Sequence, residues 1–168
     1  MLVQAVVENS HFELKLKGAI KKGFNGIDYV EGFERIVDYN TIEKDEMYGV
    51  VDKIRKSGSY DIVIIDLNST LDSVAQAVFE QADSIVVTEK ASDLGARKME
   101  MFAQQAIASE YRNKMYRISN FADGNSQFSR ALNVESLGSI HNYGTQNLKD
   151  LVQIIMKKEA INISVLTK

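Results

Sequence analysis

The sequence predicts an α/β protein, three layers deep (α/β/α), with a mostly parallel sheet of about five strands. Three observations predict it. Short aliphatic runs such as IVIIDL (Ile62–Leu67) and SIVVTE (84–89) alternate along the chain with stretches of helical period. The runs are apolar throughout rather than at every second residue, as expected of strands covered on both faces. A helical stretch separates most of them, the spacing of right-handed strand–helix–strand crossovers.

The elements follow in order. LVQAVV, near the N-terminus, either begins a helix or forms a short strand. LKLKGAIKK (14–22) sets Leu14, Leu16 and Ile20 among lysines, the pattern of an amphipathic helix ending near Gly23. GIDYV (26–30) reads as a strand between glycines. Thr41 is a good N-cap for the helix IEKDEMYGVVDKIRKSG, which has acids in its first turn, bases in its last and Gly58 to end it. The strand YDIVIIDL (60–67) comes next, then a helix over about 70–82 and the strand SIVVTE. A long helix is expected over 92–111, followed by the strand KMYRIS (114–119) and a loop at Asp123–Gly124–Asn125. A short helix near 126–132 precedes the strand SLGSI (136–140). A final helix, about 145–158, carries Leu148, Leu151, Val152, Ile155 and Met156 on one face.

At 168 residues, the chain is long enough for one domain with a substantial core, so 1–168 is read as a single α/β domain. A net charge of −3 gives no basic field to neutralise phosphates, which argues against general nucleic-acid coating. The absence of cysteine excludes disulfides, thiolate metal sites and a cysteine nucleophile, and fits a reducing compartment. No apolar run approaches the ~18 residues of a membrane span. MLVQAVVENS shows neither a basic n-region nor a cleavage pattern, so a cytoplasmic location is expected. There is no proline, and nothing physical in the sequence accounts for that.

In parallel α/β folds ligands gather at the carboxyl ends of the strands. Asp66 closes the aliphatic run Ile62–Ile65 and is therefore the leading candidate residue, either meeting a bound cation or capping the next helix. Asn68 and Ser69 lie in the turn behind it, with Thr70 a candidate cap. Asn120 leaves the KMYRIS strand, where a carboxamide offers a donor and an acceptor together or simply forms a turn. His141 and Asn142, with Tyr143, follow SLGSI; His11 carries no comparable context.

Read together, YDIVIIDLNSTLDSVAQAVFEQADSIVVTEKASDLGARKMEMF resembles the second half of a ParA/MinD-type ATPase, of the P-loop NTPase class. In that family an acid-terminated strand and a short polar turn lead to a helix and an "ADxVIVVTxP"-like strand. The pieces here are Asp66, Asn68–Ser69–Thr70 and Ala82–Thr88, followed by a Ser/Asp-rich turn into the next helix. MYRISNFADG resembles the family strand ending in Asn, at Asn120, and LNVESLGSIHNYG its "lpvlGxIPyd" segment. The lysine-rich stretch before NGIDYVEGFE is most similar to the pilus-associated TadZ/CpaE-like branch. The resemblance covers roughly residues 12–158.

The resemblance implies ATP and magnesium as cofactors, slow hydrolysis, and a nucleotide-dependent switch between monomer and homodimer. By resemblance Asp66 would position magnesium, indirectly through water. Asn68 and Ser69 would line a turn sensing the γ-phosphate, and Asn120, His141 and Asn142 would flank the base. Partners would belong to a pilus or partitioning machinery. The sequence departs from the family in lacking G-x-x-x-x-G-K-[ST] or any two-lysine variant of it. The expectation is therefore the C-terminal portion of a larger ATPase domain, inactive and binding no nucleotide tightly by itself. Two rivals remain: a receiver-like domain phosphorylated on Asp66, and a nucleotide-free scaffold. In the MinD branch a terminal amphipathic helix binds membrane; here helix 145–158, with Lys157 and Lys158, is better read as packing on the sheet.

Overall fold

The computed structural model describes residues 2–8, 10–23, 26–32, 35–123, 129–144 and 166. The chain divides into two compact units, Met1–Gln81 and Ala82–Lys168.

The first unit is mostly helical. Helix α1 (Leu2–Val7) and α2 (Phe12–Ala19) pack with α4 (Lys44–Lys56) around Ala5, Phe12, Leu16 and Val50. Gly49 permits the close approach of α1 and α4, because a Cβ there would collide with Val6. A short α3 (Ile36–Asn40) precedes α4, and α5 (Ser73–Gln81) follows it. Helix α5 packs on α4 and buries Val74, Ala75, Ala77, Val78 and Phe79. LVQAVV is thus helical.

Two local expectations are corrected here. LKLKGAIKK does not stay helical to Gly23: Ile20–Lys22 forms β1, paired antiparallel with β2 (Asp28–Val30). The Gly23 amide closes the hairpin onto the Ile27 carbonyl at 2.7 Å, and Lys22 binds Asp28 at 2.8 Å. Pairing satisfies the backbone where a helical turn would have presented two lysines and little apolar surface. Thr41 does not cap α4 either. Its hydroxyl is taken by the Asp38 carbonyl at the end of α3, and the cap is Glu43, whose amide donates to the Glu46 side chain at 2.9 Å in a capping box. Gly58, at φ 59°, ends the helix as expected.

The second unit holds the parallel sheet. Strands β3 (Ile85–Lys90), β4 (Met115–Ala122) and β5 (Glu135–His141) lie in the order β3-β4-β5, all parallel. Between β3 and β4 run α6 (Asp93–Ala103), α7 (Ala106–Glu110) and a 3-10 turn at Arg112–Lys114. The single long helix expected over 92–111 is therefore two, broken at Gln104–Gln105. Helix α6 packs on β3. Along β3, Ile85 and Glu89 are buried while Val86, Thr88 and Lys90 are exposed, so among the described residues of this unit only one face of the strand is covered.

The α/β class is as the sequence predicts, but the strands are distributed differently from one five-stranded sheet. Three are parallel, and GIDYV belongs to the separate antiparallel pair. The largest difference is at YDIVIIDL. Ile62–Leu67 belongs to no strand or ladder among the described residues, and no backbone hydrogen bond joins it to a described strand. Ile62, Val63, Ile64 and Ile65 are 64%, 46%, 88% and 37% exposed. Aliphatic character alone does not make a strand, since the ladder requires a neighbour with matching free donors and acceptors. Of the helix expected at 126–132, Ala131–Leu132 form a turn and Ser129–Arg130 are not helical; the rest of it, and helix 145–158, lie outside the described residues. No helix among the described residues is long and apolar enough to cross a membrane.

Candidate functional site

The sequence-predicted residues fall into two groups, one in each unit. The first is the turn that follows the Ile62–Ile65 ribbon. Asp66 is exposed there, as are Asn68 and Ser69. The Asn68 Oδ1 accepts from the Thr70 amide at 2.9 Å, an Asx turn, and lies 2.5 Å from the Thr70 hydroxyl. That hydroxyl is also 2.8 Å from Asp72 Oδ2.

Asp72, which sequence reasoning passed over, anchors this turn. Its Oδ1 accepts from the Ala75 amide at 2.9 Å and caps α5, while Oδ2 accepts from the Tyr39 hydroxyl at 2.9 Å. Burial raises the cost of its charge. The amides of Ala75 and Val74 and the hydroxyls of Thr70 and Tyr39 outweigh that cost and hold the carboxyl below its ordinary range. Burial first, then the neighbouring carboxylate, push the Tyr39 phenol up. The signal was available: an Asp directly before a Ser-Val-Ala run is an N-cap pattern. The pairing with Tyr39, 33 residues earlier, was not visible.

The second group lies at the carboxyl end of the parallel sheet. Asn120 pairs with Lys90 on one side and Ile140 on the other. Its carbonyl accepts from the Ala91 amide at 2.8 Å, and its Oδ1 from the Phe121 amide at 2.9 Å. Phe121 has φ 57°, and the register slips there so that Ala122 faces His141. His141 is exposed and meets the Tyr143 ring at 6.2 Å, while Asn142 Oδ1 accepts from the Gly144 amide at 3.2 Å. The structure thus brings Asn120 and His141 to neighbouring strand ends. Lys90 Nζ sits 5.6 Å from the Phe121 ring on the same rim. Ser92 caps α6 by accepting from the Gly95 amide at 3.1 Å. Gly95 is needed where α6 leaves β3, because a Cβ would collide with the Lys90 carbonyl.

Beneath this rim lies a polar cluster that no sequence pattern flagged. Glu89 is 2% exposed. Its Oε1 accepts from the Ser129 amide at 3.0 Å, and its Oε2 stands 3.7 Å from Arg117 Nη1, which itself donates to the Ser129 carbonyl. Register places Glu89 opposite Ser119, two residues from Arg117, so both side chains rise from one face of the sheet. The pair grips both backbone groups of Ser129 and fixes the segment leading into β5. Glu89 Oε2 and Arg117 Nε keep no hydrogen-bond partner among the described residues.

As a holder of magnesium nucleotide, this set of residues is incomplete. The sequence has no glycine-rich loop ending in Lys-Ser/Thr. Asp66 is an exposed carboxylate on an unpaired ribbon, and among the described residues no three His, Cys, Asp or Glu side chains converge on a cation site. The chain's described groups do not by themselves fit ATP and magnesium.

No protein-family profile matches the chain, and no curated protein matches it. Among solved structures it is similar to a ParA family ATPase from Chlorobium tepidum TLS, with a TM-score of 0.69 at 16% identity. The match covers 99% of this chain and 69% of that one.

Proposed function

The ParA-like fold is the premise from which we propose that this chain is the C-terminal portion of a ParA/MinD-like ATPase. Its role is to localise or assemble a pilus or partitioning machinery in the cytoplasm, as in the TadZ/CpaE-like branch. The observation that carries the reading is the likeness over 99% of this chain to 69% of a ParA-family ATPase. The order of motifs from Asp66 through Asn120 to His141 supports it.

In this reading the parent protein switches between monomer and homodimer with bound ATP and magnesium, and the phosphate loop comes from outside these residues. The residues that the resemblance assigns to the phosphate and magnesium end are Asp66, Asn68 and Ser69, in the first unit, and those it assigns to the base are Asn120, His141 and Asn142, in the second. Helix α6 follows Glu89, and Leu94 and Met101 are exposed on it, which supports a partner surface there.

The test is calorimetric titration of ATP with magnesium into this chain, for which a dissociation constant weaker than ~1 mM is expected. Micromolar binding would mean a complete nucleotide site and would overturn the reading. Sequence encoded ahead of Met1 that carries a glycine-rich loop with its lysine would support the ATPase portion over a nucleotide-free scaffold of the same fold. Labelling by acetyl phosphate that disappears in Asp66→Asn would instead favour a phosphorylated receiver-like domain.

A further inference from the structure

Glu89 and Arg117 hold Ser129 by both its backbone groups and still leave bonding capacity unused. Glu89 Oε1 accepts from the Ser129 amide and Arg117 Nη1 donates to the Ser129 carbonyl, while Glu89 Oε2 and Arg117 Nε, both buried, have no partner. Nearly every buried polar group in a folded protein is bonded, so two orphans in one cluster need a cause. Their chemistry is complementary, since one only accepts and the other only donates. They are also two of the atoms that meet when a guanidinium edge, Nε with a terminal nitrogen, pairs side-on with a carboxylate. In the arrangement observed, Glu89 Oε2 stands 3.7 Å from Nη1 instead, too far to bond. Turning the two side chains onto each other would satisfy both orphans and give up both bonds to Ser129. Each arrangement makes two bonds, so bond count strongly favours neither.

We propose that Glu89 and Arg117 form a two-position clamp on the chain entering β5, closed on Ser129 in the state observed and open when the two side chains pair side-on. Opening releases Ser129 and Arg130 to water. Leu132, 1% exposed, keeps its seat and fixes the start of β5. The clamp therefore loosens the connection between β4 and β5 while the β3-β4-β5 ladder stays paired. Glu89 directly precedes Lys90 and Arg117 lies three residues before Asn120, which sets the clamp just under the carboxyl rim. All of these residues belong to the second unit, and the inference does not depend on the nucleotide reading.

Nitrogen-15 relaxation dispersion on the full chain tests it, read at the Ser129 amide and at Arg117 Nε. The unsubstituted chain is expected to show microsecond-to-millisecond exchange at both nitrogens, with one shared rate and an open population of roughly 0.1–10%. Glu89→Gln keeps an acceptor for the Ser129 amide but sets an N–H against the guanidinium. Arg117→Lys keeps a donor for the Ser129 carbonyl but has no Nε. Both variants should hold the closed position and lose the exchange at Ser129. They act on opposite partners, so if one fails to fold the other still decides. Flat dispersion at both nitrogens of the unsubstituted chain overturns the proposal, and a long-lived water contact at Arg117 Nε would then show that a buried water completes the pair. Exchange at Ser129 that persists in either folded variant also overturns it, because the motion would belong to the segment and not to the clamp.

Discussion

Two aliphatic runs of almost the same chemistry meet opposite fates in this molecule. IVVTEK at β3 is paired along its length to β4, while IVIIDL, some 20 residues earlier, enters no ladder among the described residues. Both have a β-branched core, and both carry an acid near the carboxyl end. The difference lies in what surrounds them. Strand β3 has a neighbour whose amides and carbonyls match its own, a helix packed against it, and a buried acid with an arginine to meet it. The ribbon has none of these among the described residues. β-propensity describes a residue that fits a half-buried pleated surface, and the surface must be supplied by other parts of a fold.

Substitutions sharpen that contrast. The largest effect is expected at the buried pair under the rim. Arg117→Ala strands the Glu89 carboxylate without a counter-charge and should destabilise the second unit by about 3–5 kcal/mol, read from urea unfolding. Glu89→Gln should cost less, since the amide can still accept from Ser129. Ile85→Ala, at a buried position in β3, should cost about 2–4 kcal/mol. Ile64→Ala, on the ribbon, should stay within about 0.5 kcal/mol. A comparable loss at the two isoleucines would mean the ribbon is packed in solution, and the comparison would fail.

The next effect belongs to the turn beyond the ribbon. Asp72→Ala removes the α5 cap and the Tyr39 contact together and should cost about 1–2 kcal/mol. The folded chain holds the Asp72 carboxyl below its unfolded value of 3.8. Its contribution is therefore present above that pH and disappears as pH falls through the lower folded value. Asp28 behaves in the same sense, held low first by Lys22, against burial, and then by Tyr60. Thermal melts should show stability falling on acidification below about pH 4, with a shallower fall in Asp72→Asn. Asp66→Asn should be the smallest change, within about 0.5 kcal/mol, because that carboxylate is exposed.

The parts of the fold legible in the sequence were those that local pattern decides. Helix α5 and strands β3, β4 and β5 lie where the aliphatic runs and their spacing put them. Gly58 ends α4 because a left-handed residue follows the helix there. The rest depended on partners distant in sequence. Ile20–Lys22 reads as helix until Asp28–Val30 is known to pair with it. Thr41 is a better N-cap than Glu43 by residue type, yet its hydroxyl is occupied by Asp38 and Glu46 completes a box with Glu43. Among the candidate site residues, Asn120 and His141 were placed by the ends of their strands and do come to one rim. Asp66 was placed by an expected strand at 60–67, which enters no ladder among the described residues. Glu89 and Arg117, 28 residues apart and each unremarkable in its run, became a pair only through the register of β3 with β4.

Asp61 and Asp66, which bracket the exposed run Ile62–Ile65, bear on how the protein behaves when concentrated. A short, proline-free, β-branched run that is exposed is the kind of segment that stacks with copies of itself into fibrils. Charges at its ends act as gatekeepers against that outcome. Neutralising both should turn a dispersed protein into one that forms thioflavin-binding deposits as its concentration rises.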